Sequence, residues 1–111
     1  MRVVLTIAVL LAGLTGQARA DSIDGPWCNK DGKRMTIEGA AITNPVGTRT
    51  TGDYDRHHFS YVISANEPGA GNTVLLTLQG EYRVRARTGP DAAAAARADA
   101  VDWQRCGPSV S

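Results

Sequence analysis

The densest run of reactive side chains is Gly52-Asp53-Tyr54-Asp55-Arg56-His57-His58-Phe59-Ser60-Tyr61, which brings two acids, two imidazoles, a guanidinium and two phenols together. Three chemistries compete for it. A metal site would need both imidazoles on one ion, yet neighbouring residues on a strand point to opposite faces, so His57 and His58 could share a metal only across a bulge. Zinc also wants a third and a fourth ligand, and neither an H-x-x-x-H spacing nor a nearby cysteine offers them. Hydrolysis would need a nucleophile beside its base, but Ser60 stands in no G-x-S-x-G turn and no oxyanion loop is recognisable. We therefore assign no catalytic residue and no metal ligand, and we expect no cofactor. What remains is a polar turn, in which Asp53 or Asp55 bonds the backbone and Arg56 pairs with an acid, presenting Tyr54, Arg56, His57 and His58 as a recognition surface. The alternative is a small hydrolase or metal-dependent enzyme built on Asp55, His57 and His58.

A second group is the stripe Arg83, Arg85 and Arg87, spaced by two so that a strand carries all three on one face, roughly 7 Å apart per step. Such a stripe can meet a carboxylate-rich protein or an anionic glycan. It also serves as an ordinary solvated face, or as protection of an edge against strand addition. Phosphate-cradling loops are absent from the sequence, which has neither G-x-G-x-x-G nor G-x-x-x-x-G-K.

These groups must be positioned by a small domain. The opening MRVVLTIAVLLAGLTGQARA has an early charge at Arg2, an apolar stretch from Val3 to Leu14 and an Ala18-x-Ala20 ending, the pattern of a cleavable export signal over residues 1–20. The mature domain then spans 21–111. Without Arg2 and Arg19 the 12 basic residues fall to 10 against 11 acidic ones, a formal charge of −1 in place of the full chain's +1. A near-neutral balance argues against nucleic acid or an anionic membrane surface as partner. No later segment has the roughly 20 apolar residues of a membrane span. We expect a periplasmic or secreted monomer whose partner is a protein or a small molecule.

Two cysteines, Cys28 and Cys106, sit near the two ends of the mature domain. In an oxidising compartment such a pair is structural, and closing this loop would stabilise the fold by roughly 4 kcal/mol in the chain-entropy model. Neither a C-x-x-C redox motif nor a short-spaced zinc set competes. The bond requires the first and last strands to lie side by side.

Turn signals recur at short intervals, so the domain reads as all-β: a small antiparallel meander or barrel of about six to eight short strands. Asp31-Gly32 predicts a two-residue hairpin, which would place Cys28 opposite Met35 on the face of Ile37 and Trp27 on the other face with Arg34 and Thr36. Ala41-Ile42-Thr43 is a further brief strand. From His57 to Ile63, Phe59, Tyr61 and Ile63 alternate with His58, Ser60 and Val62, predicting a central strand with one strongly apolar face. Residues 65–72 are too rich in Pro and Gly for a regular element. TVLLTLQ then turns at Gly80 into EYRVRART, where Tyr82, Val84 and Ala86 alternate with the arginines. Pro90-Asp91 followed by alanines predicts a short helix near 91–99, or a plain tether. Val101 to Cys106 is the last strand.

The Gly25-Pro26-Trp27 of the first mature strand, with Trp103-Gln104-Arg105-Cys106 in the last, resembles the closure signature of lipocalin-like (calycin) small barrels. The resemblance covers only these two ends of the chain. It implies that Trp27 plugs the base of a barrel and that Arg105 packs across it, with Trp103 a further closure residue; the Cys28–Cys106 pairing independently brings Trp27 next to Arg105, where a guanidinium over an indole contributes about 0.5 to 2 kcal/mol. The function expected is a non-catalytic binding or envelope-interaction module, inhibitor-like in kind.

Overall fold

Period-2 alternation runs through almost every segment, and the chain folds accordingly into strands joined by tight turns. The structure, a computed structural model, describes residues 22–107. The export signal read at 1–20 lies outside the described residues. In chain order the elements are β1 (Gly25–Cys28), β2 (Arg34–Glu38), β3 (Ala41–Thr43), β4 (Arg49–Thr51), β5 (Asp53–Asp55), β6 (His58–Val62), β7 (Thr73–Gln79), β8 (Arg83–Gly89), α1 (Ala92–Ala96) and β9 (Val101–Arg105). All strands lie in one antiparallel sheet of order β4-β3-β2-β1-β9-β8-β7-β6-β5. The all-β expectation holds, with nine strands where six to eight were expected.

The additional strands explain how the sheet nearly closes. Its two edges, β4 and β5, are separated only by Gly52, and no turn intervenes. They are successive halves of one run whose first half pairs with β3 and whose second half pairs with β6. At the changeover the Gly52 amide donates to the Ala40 carbonyl at 3.0 Å, while a Cβ on Gly52 would stand 2.1 Å from the Ser60 carbonyl oxygen. Only glycine lets the run touch both edges there, and the result is a small barrel-like sheet without a long free edge.

Inside lie Ile23, Trp27, Met35, Ile37, Ile42, Phe59, Tyr61, Val74, Leu76, Val84 and Trp103, contributed by the N-terminal arm and by seven of the strands. Burying a Leu, Ile or Phe side chain contributes about 1.5–3 kcal/mol. Phe59 and Tyr61 face inward on β6 as their alternation requires. That strand is paired on both sides but stands next to the sheet's last strand, rather than in the middle.

The first hairpin differs from its expected register. Asn29 and Lys33 face each other through the 3.1 Å bond from the Asn29 amide to the Lys33 carbonyl, leaving a three-residue loop, Lys30-Asp31-Gly32. Gly32 takes the left-handed conformation at φ +84°, and the Asn29 side chain accepts from the Asp31 and Lys33 amides. A three-residue loop with glycine in that position is a common alternative to the two-residue turn. The one-residue shift exchanges the faces. Trp27 pairs with Met35 and both are buried with Ile37, whereas Cys28 pairs with Arg34 on the outer face.

The second hairpin is also longer than expected. Gln79 pairs with Arg83, so Tyr82 falls in the turn, exposed, instead of on the inner face with Val84. The helix is real but short, covering 92–96, with Asp91 as its N-cap accepting from the Ala94 amide at 2.9 Å.

Candidate functional site

The two ends of the barrel are built differently. At one end the first and last strands meet with Trp27 opposite Arg105, as the cysteine pairing requires, and Cys28 and Cys106 form a disulfide with Cα atoms 5.1 Å apart. Trp27 is fully buried, and its indole N–H donates to the Ile23 carbonyl at 2.9 Å. The Arg105 guanidinium lies 4.2 Å from the centre of the Trp27 ring. It donates to the carbonyls of Asp24 at 2.7 Å, Ser22 at 3.0 Å and Glu81 at 3.0 and 3.1 Å. One cation thus stitches the N-terminal arm, the β7–β8 turn and the floor of the barrel together.

The proposed recognition patch is attached to this sealed end. Arg56 and His57 form the turn between β5 and β6, so His57 lies outside the strand expected to begin with it. The Tyr54 hydroxyl donates to Asp24 Oδ2 at 2.5 Å, and that bond raises the phenol's pKa. Asp24 also accepts from the Ser22 hydroxyl at 2.7 Å and the Gly39 amide at 2.7 Å. The Arg56 carbonyl accepts from the Ile23 amide at 2.8 Å. Asp55 Oδ1 accepts from the His57 amide at 2.8 Å and sits 3.3 Å from His58 Nδ1. The His57 amide first, and His58 second, hold the Asp55 carboxyl below its ordinary value. The turn-capping role expected of Asp55 is what the geometry contains.

The β6–β7–β8–β9 registers set His58, Thr77, Arg85 and Asp102 in one cross-strand row, and Ser60, Leu75 and Arg87 in the next. His58 and the arginine stripe, read separately in the sequence, therefore share one outer face. Two strand spacings separate His58 from Arg85, roughly 10 Å. Arg85 faces Asp102 at 3.6 Å, and Arg87 donates to the Ala98 carbonyl at 3.2 Å beyond the helix. Arg83 is exposed at the end of the stripe. Ser60 lies two positions along the strand from His58, and the contact of the imidazole is with Asp55 Oδ1. Among the described residues, no three His, Cys, Asp or Glu side chains converge on a point suited to a metal ion.

The opposite end carries an open recess. A pocket of about 300 Å³ opens there, lined by Tyr61, Ile63, Val74, Ala86, Thr88, Val101 and Trp103 from the strand ends and by Asn44, Pro45, Val46, Glu67 and Pro68 from two loops. Val46 and Val101 stand in its rim with more than half their surface exposed. Asn44 is buried and fixes the rim. Its Oδ1 accepts from the Val46 and Thr48 amides at 3.1 and 3.0 Å, and its Nδ2 donates to Glu67 Oε1 at 2.9 Å. That last bond joins the β3–β4 turn to the loop after β6, on opposite sides of the seam. Burial, aided by the Glu67 charge, pushes the Tyr61 phenol up to about 12.

The sequence reading did not single out this pocket. Its loop residues carry ordinary turn signals, and its wall residues read as core. The available hint was Val46 beside Pro45 in one loop and Pro68 beside Glu67 in the other, but their convergence depends on registers that local patterns do not fix. Comparison with family models, with curated proteins and with solved structures finds no match to this chain.

Proposed function

We propose that this chain is an exported, non-catalytic binding module, periplasmic or secreted and monomeric, that holds a small and mainly apolar ligand in the open mouth of its barrel. The observation that carries this reading is the contrast between the two ends. One is plugged by Trp27 and pinned by Arg105, with a groove of about 370 Å³ between His57, His58, Leu78, Gly80 and Glu81 outside the plug, while the other keeps a pocket of about 300 Å³ lined mainly by apolar strand-end side chains, at the lower end of the range of small-molecule sites. The mouth is favoured over the outer face because Tyr54, Arg85 and Arg87 are already engaged by Asp24, Asp102 and the Ala98 carbonyl. The stacking of Arg105 on Trp27 is also the arrangement implied by the lipocalin-like resemblance of the chain ends.

Two indoles give an internal control. Trp103 lines the mouth, whereas Trp27 lies in the sealed floor. Titrating octan-1-ol into ¹⁵N-labelled protein should move the Trp103 indole N–H resonance saturably and leave that of Trp27 in place. An Ala86→Phe variant, which fills the mouth, should weaken this binding at least tenfold without lowering the melting temperature. Equal response of both indoles, or undiminished binding by the filled variant, would count against the site.

A further inference from the structure

We propose that the occupant of the mouth carries a protonated amine on an apolar body, and that Glu67 is the residue that selects it. This rests on the reading of the mouth as a binding site and adds the chemistry of its ligand. Among the residues lining the pocket, Glu67 is the single ionisable acid, and there is no Lys, Arg or His. The carboxylate is held in place: Asn44, only 3% exposed, donates to Glu67 Oε1 at 2.9 Å, and Glu67 lines the pocket. The charge is felt inside the pocket, because it contributes to the raised pKa of Tyr61. Two aromatic residues, Tyr61 and Trp103, are in the lining, and aromatic rings attract cations. An anionic head would meet Glu67 with no compensating cation in the lining. A wholly neutral ligand would gain nothing from the carboxylate's charge. The volume corresponds to about ten water molecules at ~30 Å³ each, room for a chain of about eight carbons.

A matched series separates the charge preference from simple apolar binding. Octylammonium, octan-1-ol and octanoate are titrated at pH 7 and low salt into the processed, oxidised protein and into Glu67→Gln, whose amide oxygen can still accept from Asn44. The Trp103 indole N–H resonance and calorimetry serve as readouts. We expect octylammonium to bind about tenfold tighter than the alcohol, octanoate to bind weakest, and Glu67→Gln to reduce the amine to the affinity of the alcohol. If the alcohol binds but the amine has no lead, or if the lead survives in Glu67→Gln, the amine assignment is overturned and the mouth remains a site. If none of the three moves Trp103, the binding reading itself falls.

Discussion

Arg105 is the residue on which the sealed end depends most. It makes four hydrogen bonds to three backbone carbonyls and covers the Trp27 ring. Arg105→Met would keep some of the packing but leave those carbonyls without their donor; a hydrogen bond from a charged donor is worth about 1.5–3 kcal/mol net, and water can replace the exposed bonds to Glu81. We expect a loss of about 2–4 kcal/mol in urea unfolding of the oxidised protein. Tyr61 provides a pH test. Its folded pKa, about 12, lies above the unfolded value of 10.0, so the folded state holds its proton more tightly. The associated stability is complete below pH 10 and declines as pH rises from 10 towards 12. Absorbance titration should resolve one phenol near pH 12, and its midpoint should move down in Glu67→Gln. Asp55 has the opposite sign: its lowered pKa gives a contribution present above its ordinary 3.8 and lost as pH falls below that value. A turn cap by Asp53 or Asp55 and the placing of Trp27 beside Arg105 were legible in the sequence, because the first depends on a short motif and the second on the cysteine pairing; the face of Trp27 was not. Asn44 and Glu67 were not, since they lie 23 residues apart and meet only across the seam of the barrel.

At the level of elements, two glycines separate conformational strain from steric closure. Gly32→Ala places a Cβ in open space but in a left-handed backbone, and should cost about 1–2 kcal/mol. Gly52→Ala drives a Cβ against the Ser60 carbonyl and the Phe59 ring, so the β4–β5 run must move away from β6. We expect it to cost more, upward of about 2 kcal/mol by thermal melt, and to speed amide exchange in β5 and β6. Alternation revealed which segments are strands, and correctly turned Phe59 and Tyr61 inward. It could not choose between a two-residue and a three-residue loop at Asp31-Gly32, although that choice decides whether Trp27 or Cys28 faces the core. It also gave no sign of β4 and β5, three residues each, whose pairing comes from closure of the sheet rather than from an apolar pattern.

For the whole molecule the disulfide and the recessed end are complementary. A domain of this size buries a limited core, so linking β1 to β9 through Cys28 and Cys106 supplies stability that the interior does not. Replacing both cysteines with serine should lower the unfolding free energy by roughly 4 kcal/mol, read as the shift in denaturant midpoint against the oxidised protein. A barrel stapled at one end can leave the other end unfilled. The asymmetry is tested most directly by xenon-pressurised crystals of the oxidised protein, since xenon settles in apolar cavities. We predict a xenon site in the mouth between Tyr61, Val74 and Trp103, with none beside Trp27. Xenon at Trp27, or a mouth filled by its own side chains and empty of xenon, would contradict the account.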